Sequence, residues 1–354
     1  MFIILFLGIF WSWGNEKMEH NIFFYVIGTG KDYVKAMWED AIKLQNVRYL
    51  ESPMINIGRG KKIFEYIESK LYSFRINMRC ILPGKKIWRK YYVMNQIEID
   101  NNYTNVVIFS DIMRIMSDLK YWRNLKKNNN VVYCLILLNS CRHDLSRNIK
   151  EVRRILDFLS VDIIYTFDKS DSSLLKLEYF PSMLSKLENY SESKIEYDFY
   201  FVGKKKNRFK EIIKLYNQLT EQGYKCLFRV TGVNDEEEKM CEGIVYNETI
   251  SYKQVIEELN LSKCIVDIKV PEQSGLSLRY FEAVIYNKLL LTNNGSVKYE
   301  TFYNKEYMLY YKEMANVKIE KNFLDKVPDY NYNDNYSPVT FLKTLEGKIN
   351  DGIY

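Results

Sequence analysis

Glu282 is the residue whose type and setting most clearly invite chemistry. It sits in "VPEQSGLSLRYFEAVIYNKLLLTNNGS" (270–296), between the apolar run "CIVDIKV" (264–270) and a second run, "KLLLTNN" (288–294). The apolar spacing of Leu276, Leu278, Phe281, Val284 and Ile285 predicts a helix over 276–286. Ser274 and Gly275 would open that helix, turning the Ser274–Leu276 amides toward a cleft. Glu282 then lies two turns in, next to the apolar face, where a carboxylate can accept hydrogen bonds from two vicinal hydroxyls such as a ribose presents. Arg279, three residues earlier, is spaced either to pair with Glu282 or to reach a phosphate.

Other residues offer weaker chemistry. "FVGKKKNRFKEII" places Gly203, Lys204, Lys205, Lys206 and Arg208 between a strand and a helix, where amides and cations can hold a diphosphate. It is not a G-x-x-x-x-G-K-[ST] loop, and a solvated lysine run explains it more simply. "VIGTGKDY" sets Gly28 and Gly30 after the first strand, a G-x-G with no third glycine. No clear second strand ending in an acidic residue follows about twenty positions on, so a tight turn bordering the cleft is expected. Asp111, in "IFSDIM", ends a strand of the first half, and His143 stands beside Asp144 in "SCRHDLSRN". Either can serve as a general base, although helix capping explains Asp111 more simply. With two histidines, no D-x-D triplet and six cysteines without C-x-x-C spacing, no metal site is expected.

These residues need strand ends and helix starts to hold them, and the pattern supplies both. Short apolar runs at 21–30, 104–111, 129–140 and 161–168 alternate with amphipathic stretches. The same alternation returns at 197–203, 224–232, 264–270 and 288–294. It predicts two doubly wound α/β domains with parallel sheets, Rossmann-like and facing a cleft. The polar stretch "SKLENYSESKIEYD" (185–198) marks the join. The expected division is an apolar leader or over-extended start at 1–17, with Met18 as the alternative start, then domains at 18–188 and 189–336. A closing helix over 337–354 starts at Ser-Pro.

The net charge of +6 is uneven: residues 1–192 hold 28 Lys and Arg against 21 Asp and Glu, and the remainder 23 against 24. A basic first half suits an anionic acceptor or lipid headgroups, or is simply a solvated surface. No basic stripe interleaved with aromatics appears, so nucleic acid is not an expected partner.

The stretch around Glu282 resembles the donor-site segment of GT-B glycosyltransferases, E-G-F-G-x-x-x-x-E-A followed by a strand. Ser274-Gly275-Leu276-Ser277 lies where that family has E-G-F-G, and Glu282-Ala283 matches the closing E-A. The resemblance covers about residues 195 to 305 and is closest to bacterial surface-polysaccharide and lipopolysaccharide enzymes. It implies a hexosyltransferase-like enzyme taking a nucleotide-diphosphate sugar as substrate, with no metal cofactor. Glu282 becomes the ribose ligand, and Arg279 sits beside it. The amides of Ser274, Gly275 and Leu276 become diphosphate donors, supported by Gly203, Lys204 and Arg208.

The first domain would take a glycan or lipid-linked glycan acceptor, with Gly28 and Gly30 on its loop and Asp111 or His143 as base. The expected location is cytoplasmic, with peripheral contact at the inner membrane face. Ser274 replaces the pattern's first glutamate, which leaves open a non-catalytic nucleotide-sugar-binding protein on a degenerate version of the fold. A periplasmic-type binding protein and a nicotinamide oxidoreductase fit the start and the broken G-x-G less well.

Overall fold

In a computed structural model of the chain, the described residues are 21–52, 61–110, 114–141, 145–146, 148–187, 194–270, 275–312, 317–320 and 322–352. The leader at 1–17, Met18, Asp111, His143 and Ser274 lie outside them.

The first sheet is built from β1 (Ile22–Thr29), β2 (Val47–Ser52), β3 (Thr104–Ser110), β4 (Val131–Leu137), β5 (Ile163–Thr166) and β6 (Glu178–Tyr179). Its order is β2-β1-β3-β4-β5-β6, and every pairing is parallel. The second sheet holds β7 (Tyr197–Lys204), β8 (Cys226–Thr231), β9 (Val245–Tyr246), β10 (Ser262–Asp267), β11 (Leu289–Thr292) and β12 (Met308–Tyr310). Its order, β9-β8-β7-β10-β11-β12, is also parallel throughout.

The helices include α1 (Asp32–Met37), α2 (Lys61–Leu71), α3 (Lys85–Trp88), α4 (Lys169–Leu175), α5 (Phe209–Glu221), α6 (Tyr252–Asn260), α7 (Leu278–Ile285) and α8 (Pro338–Asn350). Two Rossmann-like, doubly wound domains therefore stand in sequence, the architecture expected of a GT-B chain.

The central strands are apolar on both faces because both faces are covered. Phe24, Val26, Val106, Ile108, Cys134 and Ile136 enter one buried layer, while their neighbours Tyr25, Ile27, Val107, Phe109, Leu135 and Leu137 enter the other. Alternate residues of a strand point to opposite faces, so a continuous apolar run is the only pattern that satisfies two layers.

The absence of a second strand after β1 is corrected by β2. "VRYLES" escapes the apolar-run test because it is an edge strand with Arg48 and Glu51 exposed. Its penultimate residue is acidic, Glu51, whose carboxylate lies 3.6 Å from where a Cβ on Gly30 would stand.

The chain ends by returning to the first domain. Ser337 caps α8 by accepting from the Val339 amide, and Pro338 fills the first turn, where its missing N–H costs nothing. Phe341 is fully buried, with ring centroids 5.0 Å from Tyr165, 5.0 Å from Phe180 and 6.0 Å from Trp38. Phe341→Ala should cost about 3–5 kcal/mol of stability, read by chemical denaturation, because it empties an aromatic socket that its neighbours cannot refill.

Candidate functional site

In the second sheet, β7 and β10 are neighbours although β8 and β9 extend to the other side. The chain reverses its direction of growth between them, so the loops leaving the two strands diverge and leave a crevice at their carboxyl ends. Ligands of open α/β sheets bind there.

The loop after β7 carries the cations. Lys204 ends the strand and is exposed, Lys205 pairs with Glu237, and Lys206 turns the chain with φ +42°. Arg208 precedes α5 and folds back over the Phe201 ring, 5.5 Å from its centroid, with an Nη donating to the Lys204 carbonyl at 3.4 Å. Gly203 makes room for this, since a Cβ there would stand 3.1 Å from that guanidinium. Burial lowers the Arg208 pKa, Asp267 opposes that shift, and the like charge of Arg279 adds to it. The Nε of Arg208 is buried with no hydrogen-bond partner among the described residues. Two guanidiniums thus share the switch point, and each has a buried N–H without a hydrogen bond among the described residues, Arg208 Nε and Arg279 Nη1.

The loop after β10 is stapled by Asp267, 1 % exposed, which accepts from Ser277 Oγ at 2.7 Å and Thr292 Oγ1 at 2.9 Å. Ser277 Oγ also accepts from the Arg279 amide at 3.2 Å. The helix therefore opens at Leu278 with Ser277 as its cap, rather than at Ser274-Gly275 as the apolar spacing predicts. A capping hydroxyl outweighs periodicity at a helix end. Gly275 and Leu276 fall in the preceding loop, where the Gly275 carbonyl accepts from Asn294 Nδ2 at 3.1 Å.

Glu282 is fully buried. Its Oε1 accepts from the Tyr252 hydroxyl at 3.0 Å, and its Oε2 lies 2.7 Å from Arg279 Nη1. Burial raises its carboxyl to about 7, against the pull of Arg279 and the Tyr252 hydroxyl. This oxygen pair does not face bulk solvent; it sits beneath the cleft wall and anchors Arg279.

The cleft proper lies between the domains, a cavity of about 610 Å³, within the size range of small-ligand sites. Gly275, Leu276, Ser277 and Leu278 line it from the second domain. Asn139, Asp168, Lys169 and Ser170 line it from the carboxyl ends of β4 and β5. A Cβ on Gly275 would lie 3.7 Å from the Phe167 carbonyl and 3.8 Å from an Asp168 oxygen, so the two loops nearly touch. Lys169 pairs with Glu300 across the cleft at 2.7 Å.

Asp168, 5 % exposed, caps α4 by accepting from the Ser170 and Asp171 amides at 2.8 and 3.1 Å. Of the first-domain candidates, Gly28 near the end of β1 and Gly30 just after it do not line this cavity, and the Tyr49 hydroxyl fills the space beside Gly28. Asp168 was legible as a strand-end carboxylate, the same signal that singles out Asp111. What the sequence hides is that β5 brings its loop against Gly275.

No protein-family model matches the chain, and no curated protein sequence matches it. Similar solved structures include an alpha-glucosyltransferase in complex with UDP and a 13-mer DNA containing a HMU base. It is 9% identical, covers 91% of this chain and 89% of that chain, and has a TM-score of 0.46. A DNA-modifying beta-glucosyltransferase is 13% identical, covering 92% and 95% with a TM-score of 0.43. The E. coli heptosyltransferase WaaC with ADP-2-deoxy-2-fluoro heptose is 12% identical, covering 83% and 95% with a TM-score of 0.33.

The buried carboxyl makes stability depend on pH. Because its folded value lies above the ordinary carboxylate range, the folded chain holds this proton more tightly than the unfolded chain. Its effect is most favourable below the ordinary value and is lost as pH rises to about 7. Wild type should therefore lose stability relative to Glu282→Gln as pH rises from about 5 to about 7, by roughly 1.4 kcal/mol per pH unit. Thermal unfolding of both proteins across that range measures it.

Proposed function

We propose that this chain is a glycosyltransferase that moves a sugar from a nucleoside-diphosphate donor to a glycan or lipid-linked glycan acceptor in cell-surface polysaccharide synthesis. The observation that carries the proposal is the pair of guanidiniums, Arg208 and Arg279, at the switch point of the second sheet, with the buried Nε of Arg208 lacking a partner among the described residues. A cationic pair held in place before the ligand arrives is suited to an anion whose charge grows as its bond breaks. In this proposal the two arginines and the loop amides around Gly275 and Leu276 take the diphosphate, with Lys204 at the rim. Glu282, fully buried with its oxygens on Tyr252 and Arg279, positions Arg279 rather than reaching the ribose itself. The cationic pair also supports a mode in which no metal ion carries the leaving charge.

The acceptor enters from the first domain. Its hydroxyl oxygen bonds to the anomeric carbon, the bond from that carbon to the diphosphate oxygen breaks, and the nucleoside diphosphate leaves with the electron pair. Asp168 accepts the hydroxyl proton, its carboxylate lining the cavity opposite the donor loop. Closing the cleft around both substrates excludes water, which would otherwise take the sugar. Asp111 and His143, outside the described residues, remain alternative bases.

A thermal-shift screen with UDP-, GDP-, ADP-, TDP- and CMP-sugars tests the donor site. One nucleotide class should stabilise wild type, and Arg208→Gln should weaken its binding by about 10- to 100-fold, the worth of a charge-assisted hydrogen bond. Glu282→Ala should abolish the shift; equal shifts in both proteins would remove Glu282 from the site. Asp168→Asn should lower kcat by about 10²- to 10⁴-fold with donor affinity unchanged. Donor binding without turnover across a panel of acceptors would favour a non-catalytic binding protein instead.

A further inference from the structure

We infer that α2 and the segment that follows it, to Lys90, form a docking face for an anionic bilayer surface. α2 is packed by its less apolar side. Phe64 stacks against Trp88 and Tyr91, with centroids 4.5 and 5.1 Å apart, while Glu68 accepts from the Tyr92 hydroxyl at 2.7 Å and pairs with Arg114 at 3.4 Å. Positions 63, 66, 67 and 70, which share one helical stripe, are left facing outward. Ile63 is 70 % exposed, Tyr66 64 % and Ile67 44 %. Ile81, before α3, and Ile87, within it, are exposed at 56 % and 71 %. Half of the ten large hydrophobic residues most exposed in the described chain therefore fall within 63–87.

The same segment holds the charge. Residues 61–90 carry nine Lys and Arg against two Asp and Glu, a surplus of seven that equals the surplus of residues 1–192 (28 against 21). Arg89 is occupied by Asp118 at 2.6 and 3.1 Å, and Lys85 is buried on Asn77 and the Leu82 carbonyl. Lys70, Arg79, Lys86 and Lys90 are exposed.

Exposed aliphatic side chains among lysines choose the occupant. Isoleucine gains from hydrocarbon and nothing from a phosphate backbone, whereas a nucleic-acid face stacks its bases on aromatics. Tyrosine suits the headgroup level, and lysine stems can lie along the apolar layer with their charge in the headgroups. A second copy of the chain would set one basic face against another, which like charge opposes. The inference extends the lipid-linked acceptor of the proposed function and rests on it for the identity of the membrane, but its test needs no activity.

The test is co-sedimentation of the full chain with phosphatidylcholine vesicles, with and without phosphatidylglycerol, in the absence of any sugar nucleotide. Binding should require phosphatidylglycerol and weaken with salt. Ile63→Asp with Ile67→Asp should weaken it at least about tenfold, and Lys86→Glu with Lys90→Glu should do the same, because apolar burial and headgroup attraction act together. All four positions are exposed, so both double variants should keep the wild-type melting temperature.

Failure of wild type to bind, or variants that bind as wild type does, would overturn the inference. Tight binding to duplex DNA that the same substitutions abolish, or concentration-dependent dimers that they abolish, would overturn it in favour of those partners. Transfer to a soluble acceptor, assayed in parallel, should survive in both variants. Absent transfer beside intact vesicle binding would sink the proposed function alone.

Discussion

Tyr252 is the residue through which the two domains and the candidate site constrain one another. Its backbone amide donates to the Asp32 carboxylate at the start of α1, and its hydroxyl donates to Glu282 in α7. Glu282 in turn holds Arg279, which faces the switch point beside Arg208. A carboxylate buried to this degree is tolerated only when its oxygens meet a cation and donors, so the phenol and the guanidinium cannot be moved independently. The first domain is thereby connected to the position of a cation in the second through one aromatic ring. Ser251 fixes the start of that helix by a reciprocal cap with Gln254, which leaves Tyr252 little freedom to adjust.

The cleft follows from where parallel strands end. Both sheets are wholly parallel, so every strand of each delivers its following loop to the same edge, and the two edges face each other across the cavity. Asp267 holds the loop after β10 to β11 as well as to β10, and Gly275 lets that loop approach the loop after β5 without a side chain between them. The Lys169–Glu300 pair spans the gap at the rim. Such a pair is partly exposed and worth little to stability, so it can open when the cleft does.

Charge is sorted by location rather than spread evenly. The cationic surplus of the first half is concentrated in 61–90, while the second half is close to neutral. Its arginines are drawn inward instead, Arg208 and Arg279 to the switch point and Arg229 to Glu248 and Glu258. Cations on the surface attract and orient; cations partly out of water, with limited room to relax, bind.

Residue order alone determined the fold class, since β1, β3, β4, β7, β10 and β11 are buried on both faces and must read as unbroken apolar runs. It also determined that Glu282 would lie against apolar neighbours, that Arg279 could reach it, and that Ser-Pro would open α8. Edge strands escaped it: β2 alternates with charge, and β6 and β9 are two residues long, so their pairing is decided by a neighbour rather than by their own composition.

Only the tertiary structure decided that Ser277 caps α7, because Asp267 and Thr292 must first bring β10 and β11 together around it. Only it decided that Asp168 meets Gly275, a contact between residues more than a hundred positions apart. And only it decided that Phe341 closes over Tyr165 and Trp38. Periodicity reports which face of an element is buried; it carries no information about which partner buries it.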